Sequence, residues 1–130
     1  MDSETPLGRV RGLGTAREGG HHWWTERLTS LSTMFLSIWL LTSLLRLPDL
    51  GLATFTDWLS STVNMTGMLL FVFSTFWHTK LGLQVVIEDY VHEEGNKTLL
   101  LVLLNFAVVL GGVLAAVSIL RIAIPAGAVA

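Results

Sequence analysis

One stretch of the sequence carries most of the side chains that could do chemistry. It reads HTKLGLQVVIEDY, and in it His78 is followed by Gly82 and, at its end, by Asp89 and Tyr90. Imidazole is a common axial ligand of haem iron, and an ionisable side chain at membrane depth is a functional candidate by default. A histidine that only hydrogen-bonds a neighbouring helix is the alternative, and the residue alone leaves both interpretations open.

Helical geometry predicts that these side chains form one stripe. Ser74 and Gly82 lie four residues either side of His78, so the three share a helix face. Asp89 follows His78 by 11 residues, so it lies within roughly 20° of the same face and about 16 Å further along the helix axis. Small residues beside a ligand would admit a flat macrocycle, but they equally suit close packing between membrane helices.

Tyr90 adds a hydrogen-bond donor at the end of the same stretch. A phenol at a membrane surface can donate to a carbonyl, and a lipid-soluble quinone presents one there. Tyrosine is also favoured at any membrane interface, so a simple anchor is the alternative.

A second group of polar residues lies in GGHHWWTERLTSL, residues 19–31, where Arg27 follows His21 by six positions. An arginine at a membrane surface usually extends its side chain to lipid headgroups. It could instead pair with a haem propionate or orient a quinone through charge-assisted hydrogen bonds. The sequence does not decide between these roles.

Composition points to the class of protein that holds these residues. Of 130 residues, 52% are hydrophobic and 14% are charged, whereas a soluble domain carries about 25% charged residues. A soluble globular domain is therefore excluded. The absence of cysteine excludes disulfides and iron–sulfur ligation by this chain. A net charge of −2 gives no basic surface for nucleic acid.

The charged residues mark the membrane spans. Residues 28–45, 58–79 and 98–120 contain no Asp, Glu, Lys or Arg, and a bilayer core needs roughly 20 residues of helix. The sequence therefore predicts an all-α membrane protein with three transmembrane helices. Residues 46–57 are predicted to be the loop between the first two helices, with a turn at Pro48.

Residues 1–20 differ from the rest, because they contain five of the 12 glycines. We expect a flexible cytoplasmic tail there and a three-helix membrane domain over residues 21–130. Six lysines and arginines fall on the side of the N-terminus and two on the other side. By the positive-inside rule, the N-terminus is predicted to be cytoplasmic.

The run from His78 to Tyr90 resembles the smaller of the two membrane-anchor subunits of succinate dehydrogenase (respiratory complex II). That family has three transmembrane helices and the pattern H-x3-G-x6-D-Y on the second. It also has a histidine six residues before an arginine at the start of the first helix, as His21 and Arg27 are here. The resemblance covers roughly residues 19–121.

The resemblance implies specific roles. His78 would be one axial ligand of haem b, binding its iron, with the other ligand from the second membrane-anchor subunit. Tyr90 would hydrogen-bond ubiquinone beside Asp89. Arg27 and His21 would lie near the haem propionates and the quinone site, although the doubled histidine leaves His22 open for the family role.

The resemblance also implies partners and a setting. FAD and iron–sulfur clusters would belong to a flavoprotein subunit and an iron–sulfur subunit, both on the cytoplasmic face. The chain would act in the inner membrane of a bacterium, in the tricarboxylic acid cycle and the aerobic respiratory chain, without being catalytic alone. Membrane lipid would surround it, and no nucleic acid would bind.

Three alternatives remain from the sequence. The nearest is the anchor of a quinol:fumarate reductase, which works in the reverse direction. The second is a structural membrane protein without a cofactor, which would use His78 and Asp89 only for helix packing. The third is part of a transporter, and it ranks last because the three uncharged runs contain no acidic residue.

Overall fold

The protein is a set of antiparallel helices, described by a computed structural model over residues 16–124. Within these residues lie four helices: α1 Ala16–Leu45, α2 Leu52–Ser60, α3 Thr62–Tyr90 and α4 Glu94–Ala123. Between residues 16 and 124 no strand occurs. The predicted all-α fold is therefore confirmed.

Three of these helices are long and apolar enough to cross a membrane. They are Gly20–Leu45, Thr62–Tyr90 and Glu94–Ala123. The first and third contain the uncharged runs 28–45 and 98–120, and the second contains all of the run 58–79 except its first four residues. The prediction of three candidate transmembrane helices is confirmed. Their polar backbone groups bond within each helix, as a lipid environment requires.

The ends of the helices differ from the uncharged runs. α3 begins at Thr62 and continues past Lys80 to Tyr90. The Lys80 ammonium lies 5.1 Å from the centre of the Trp77 ring, so the charge is accommodated without interrupting the helical backbone. At the N-terminal end, residues 1–15 of the predicted tail lie outside the described residues, and α1 begins at Ala16.

The connection between α1 and α3 is more ordered than the predicted loop. After the turn at Pro48, the carboxylate of Asp49 accepts hydrogen bonds from the Thr54 hydroxyl at 2.8 Å and the Gly51 amide at 2.7 Å. Both bonds lower the pKa of Asp49 below its ordinary value, and the bond from Thr54 has the larger effect. They hold the chain in the conformation that starts α2.

α2 is stabilised by packing. Leu59 is only 1% exposed, and it forms a buried cluster with Ile119 and Ala123 at the end of α4. The Asn64 amide of α3 donates to the carbonyl oxygen of Trp58 at 2.8 Å. The short helix therefore closes the end of the α3–α4 pair that lies opposite Tyr90.

The three long helices form an open row with α3 in the middle. α3 packs against both α1 and α4, and no contact joins α1 to α4 in the part of the chain that is described. Glycines allow close approach on both sides of α3, Gly67 against the Trp39 ring and Gly111 against the Phe76 ring. Small residues serve this purpose at many membrane helix interfaces.

Candidate functional site

The polar side chains between α1 and α3 form two contacts one helical turn apart. His78 Nδ1 lies 3.3 Å from Thr29 Oγ1, and Ser74 Oγ lies 2.9 Å from Thr33 Oγ1. We call these four residues the polar seam. Because each pair steps four residues in opposite directions, α1 and α3 are antiparallel, with Thr29 level with His78.

The polar seam is largely enclosed between the two helices. Ser74 is only 5% exposed, and its hydroxyl also approaches the carbonyl oxygen of Thr29 at 3.4 Å. His78 is half-buried. A buried polar group without a partner is costly in lipid, so these hydrogen bonds fix the register of α1 against α3.

Two residues of the polar seam, Thr29 and Thr33, were missed from the sequence, whereas Ser74 and His78 were identified. A signal for the missed pair exists, since hydroxyl side chains recur every four residues along α1. Such spacing puts them on one helix face. The members of this stripe are Thr25, Thr29, Thr33 and Ser37.

The flank of α3 one turn beyond His78 is open. A Cβ built on Gly82 would meet no atom within 4 Å, and Gly82 itself is exposed. The absence of a side chain therefore leaves the backbone of α3 accessible beside the half-buried imidazole.

Asp89 and Tyr90 are the last two residues of α3 and both are exposed, Tyr90 to 79%. They lie about 16 to 18 Å along the axis from His78, level with the beginning of α1. Neither side chain forms a hydrogen bond within residues 16–124. The structure thus places them together at one end of the helix pair.

Arg27 does not lie at the same height along the helix pair as Asp89 and Tyr90. It is two residues before Thr29, hence about 3 Å along the axis from the level of His78 and on the far side of α1 from α3. Its guanidinium lies 5.1 Å from the centre of the Trp23 ring. A shallow pocket of 440 Å³ on this outer face of α1 includes Trp23, Glu26 and Arg27. The structure does not bring Arg27 together with Asp89 and Tyr90.

The two neighbouring histidines of α1 differ in environment. His21 is exposed, whereas His22 is half-buried and its Nε2 atom is buried with no hydrogen-bond partner among the described residues. His22 lies seven residues before Thr29, which puts it on the same face of α1 as the polar seam. The histidine on the α3 side is therefore His22.

An apolar cavity of 320 Å³ lies on the other side of α3, between α3 and α4. Its lining includes Phe76, Trp77, Lys80 and Asn105 but neither His78 nor Gly82. Among the residues that the structure describes, no three His, Asp or Glu side chains cluster as metal ligands would.

Comparison with known proteins gives a consistent result. The family described as succinate dehydrogenase/fumarate reductase transmembrane subunit matches residues 1–114. A protein of Rickettsia bellii named succinate dehydrogenase hydrophobic membrane anchor subunit is 31% identical over 90 residues, covering 69% of this chain and 72% of the relative. One of the same name from Rickettsia felis is 33% identical over 93 residues, covering 70% and 77%.

A more distant relative is the succinate dehydrogenase membrane anchor subunit of Reclinomonas americana, which is 29% identical over 85 residues, covering 63% of this chain and 69% of the relative. No solved structure matches. Because the family match extends over most of the three-helix chain, this protein belongs to the succinate dehydrogenase/fumarate reductase transmembrane subunit family.

Proposed function

We propose that this chain is the hydrophobic membrane anchor of a succinate dehydrogenase, that His78 is an axial ligand of haem b, and that the end of α3 contributes to the quinone site. The observation that carries the proposal is the half-buried His78, held through Nδ1 by α1 beside the open flank at Gly82. The relatives' names favour succinate oxidation over fumarate reduction as the physiological direction.

The residues around His78 fit a haem. A metal-ligating histidine typically binds with one ring nitrogen while an oxygen atom holds the other, and Thr29 Oγ1 is in that second position. Gly82 leaves the space that a planar macrocycle needs beside the helix. Haem supplies one-electron redox chemistry when bound. His78 of this chain would bind the iron through Nε2 while Thr29 holds the ring, and the second ligand would come from the other membrane-anchor subunit.

The exposed end of α3 suits a quinone. The Tyr90 hydroxyl can donate a hydrogen bond to a quinone carbonyl, and the Asp89 carboxyl can exchange protons with water at the same surface. Reduction of a quinone to a quinol takes two electrons and two protons. In this proposal the electrons come from the iron–sulfur subunit and the protons enter from the side of Asp89.

Arg27 and His21 have more distant roles in the proposal. Arg27 is nearly level with His78 but lies on the opposite side of α1, so a haem propionate would have to extend past α1 to pair with its guanidinium. His21 lies about 12 Å along the axis from that level, between the levels of His78 and Tyr90. His22, with its buried and unpartnered Nε2, is the alternative for the role of His21.

FAD and the iron–sulfur clusters reside in the flavoprotein and iron–sulfur subunits, and the chain is not catalytic alone. The distribution of lysine and arginine supports a cytoplasmic N-terminus in a bacterial inner membrane. We keep the division into a cytoplasmic segment over residues 1–20 and a membrane domain over residues 21–130 as part of the proposal, with the last five residues of that segment in the first turns of α1.

The haem assignment is tested by replacing His78 with leucine in the assembled complex. Without the imidazole, the b-type band in the reduced-minus-oxidised spectrum should be lost or displaced. His92→Leu is the matched control, because His92 is exposed in the connection between α3 and α4 and should leave the band unchanged. An unaltered spectrum and haem content in His78→Leu would remove His78 as a ligand.

The quinone assignment is tested with Tyr90→Phe, which keeps the ring and removes the donor. Loss of one hydrogen bond costs about 0.5–1.5 kcal/mol, or roughly two- to tenfold in quinone-linked turnover. Succinate oxidation with an artificial acceptor should be unchanged, because that reaction bypasses the membrane. An equal loss in both assays would make Tyr90 structural, and no loss in either would leave it an interfacial anchor.

A further inference from the structure

We infer that Thr29 is a positioning residue for His78: its hydroxyl oxygen accepts a hydrogen bond from Nδ1–H and so selects the tautomer in which Nε2 is free to bind iron. The inference rests on the proposed haem ligation. It adds a residue on a different helix from the ligand, which neither composition nor the His78 motif identifies.

The direction of the hydrogen bond follows from counting protons around Thr29. Its Oγ1 atom lies 2.9 Å from the carbonyl oxygen of Thr25 and 3.0 Å from that of Glu26, and 3.3 Å from His78 Nδ1. A hydroxyl has one proton, and carbonyl oxygens can only accept. We assign the proton to the two carbonyls because they are nearer than the imidazole, and this assignment leaves a lone pair of Oγ1 for His78.

The consequence for His78 is a defined tautomer. With the Thr29 proton assigned within α1, Nδ1 supplies the proton of the bond between the helices. A neutral imidazole has one N–H, so Nε2 then carries the lone pair that a metal ligand needs. The bond also raises the basicity of the ligand and fixes the orientation of its ring.

The rest of the polar seam holds Thr29 in place. Ser74, 5% exposed, bonds Thr33 and approaches the carbonyl oxygen of Thr29. Two contacts one turn apart prevent α1 from sliding or rotating against α3 without breaking both. The position of the Thr29 hydroxyl beside His78 is thus fixed by the packing of α1 against α3.

The test uses Thr29→Val in the assembled complex, because valine keeps the shape of threonine and removes the hydroxyl. Loss of such an outer partner typically lowers metal affinity about 10–100-fold, so haem content per complex should fall on dilution in detergent. A less basic imidazole stabilises ferric haem less, so the midpoint potential of the remaining haem should rise. Thr29→Ser restores the hydroxyl and should return both measurements to the wild-type values.

Thr42→Val is the matched control. Thr42 makes the same bonds to carbonyls of its own helix, at 2.8 Å to Ile38 and 3.0 Å to Trp39, but contacts no histidine. It should change neither haem content nor midpoint potential. Thr29→Ala is measured alongside, so that the comparison with Thr29→Ser remains available if the valine variant assembles poorly.

The outcomes separate the inference from the proposed function. If the wild-type complex contains no haem, or His78→Leu keeps it unaltered, the proposed ligation fails. If His78→Leu loses haem while Thr29→Val and Thr29→Ala retain both occupancy and midpoint potential, only the role of Thr29 is overturned. Equal shifts in the valine, alanine and serine variants would also overturn it, because the hydroxyl would then not be the cause.

Discussion

Two adjacent glycines of α4 give a sharp test of the packing between α3 and α4. A Cβ on Gly111 would lie 2.7 Å from Cε1 and 3.2 Å from Cζ of the Phe76 ring, whereas a Cβ on Gly112 would lie 3.9 Å from Cγ of the same ring. The first distance is a steric overlap and the second is an ordinary contact. We therefore expect Gly111→Ala to destabilise the helix pair and Gly112→Ala not to.

The magnitude follows from two opposing effects. Replacing glycine by alanine within a helix favours folding by up to about 1 kcal/mol, and this gain is common to both variants. Overpacking costs about 1–3 kcal/mol, and only Gly111→Ala incurs it. The common gain cancels in the difference, so Gly111→Ala should be less stable than Gly112→Ala by about 1–3 kcal/mol. Because Phe76 also lines the apolar cavity between α3 and α4, its ring has space to move, which favours the lower end.

The assay is unfolding of the full chain in detergent micelles with increasing SDS, followed by tryptophan fluorescence. Two double variants identify the cause. Adding Phe76→Leu to Gly111→Ala should recover part of the stability that Gly111→Ala loses, whereas adding Phe76→Leu to Gly112→Ala should give no gain in stability. Equal free energies of unfolding for Gly111→Ala and Gly112→Ala, or the reverse order, would refute the close approach of α4 to Phe76.

Three further outcomes are expected. A reporter enzyme fused after Ala130 should be active only if it functions outside the cytoplasm, because three spans follow a cytoplasmic N-terminus; cytoplasmic activity would reverse the orientation. Thr54→Val should raise the pKa of Asp49 towards its ordinary value in an NMR titration. A lowered pKa in the folded state means that ionised Asp49 stabilises the fold. This stabilisation is present above the unfolded-state pKa and is lost as the pH falls through the folded-state pKa. The folded-state pKa is higher in the variant, so the variant should lose the stabilisation at a higher pH. Ser74→Ala should cost about 0.6 kcal/mol and at most roughly 1.7 kcal/mol in the same SDS titration, as for other hydrogen bonds between membrane helices.

The spans could be predicted from the sequence because lipid imposes one strong rule. Charged side chains are costly in the bilayer, so uncharged runs of membrane length identify the helices. The exact ends could not be predicted this way. Lys80 ends an uncharged run, yet α3 continues for ten more residues. The Lys80 ammonium packs against the Trp77 ring, and the backbone hydrogen bonds of the helix do not depend on side-chain charge.

α2 was missed for a different reason. Its nine residues are too few for a span, and short helices are marginal without tertiary packing. Leu59 supplies that packing only because the ends of α3 and α4 come together around it. Information of this kind is absent from the local sequence of residues 52–60.

The candidate site was partly predictable. Ser74 and His78 were expected to share a face, and both do contact α1. Thr29 could not be paired with His78 from the sequence, since the two residues are 49 positions apart and their contact depends on the register of two helices. The position of Arg27 on the outer face of α1 likewise depends on which face of α1 packs against α3.

The open row of helices has a consequence for how changes combine. Because α1 and α4 touch α3 but not each other in the described part of the chain, a substitution in α1 and one in α4 should be thermodynamically additive wherever the two residues share no partner on α3 or α2. A substitution in α3 should instead couple to either neighbour. α3, which carries both His78 and Tyr90, is therefore the helix in which sequence variation is most constrained, while the outer two can diverge independently.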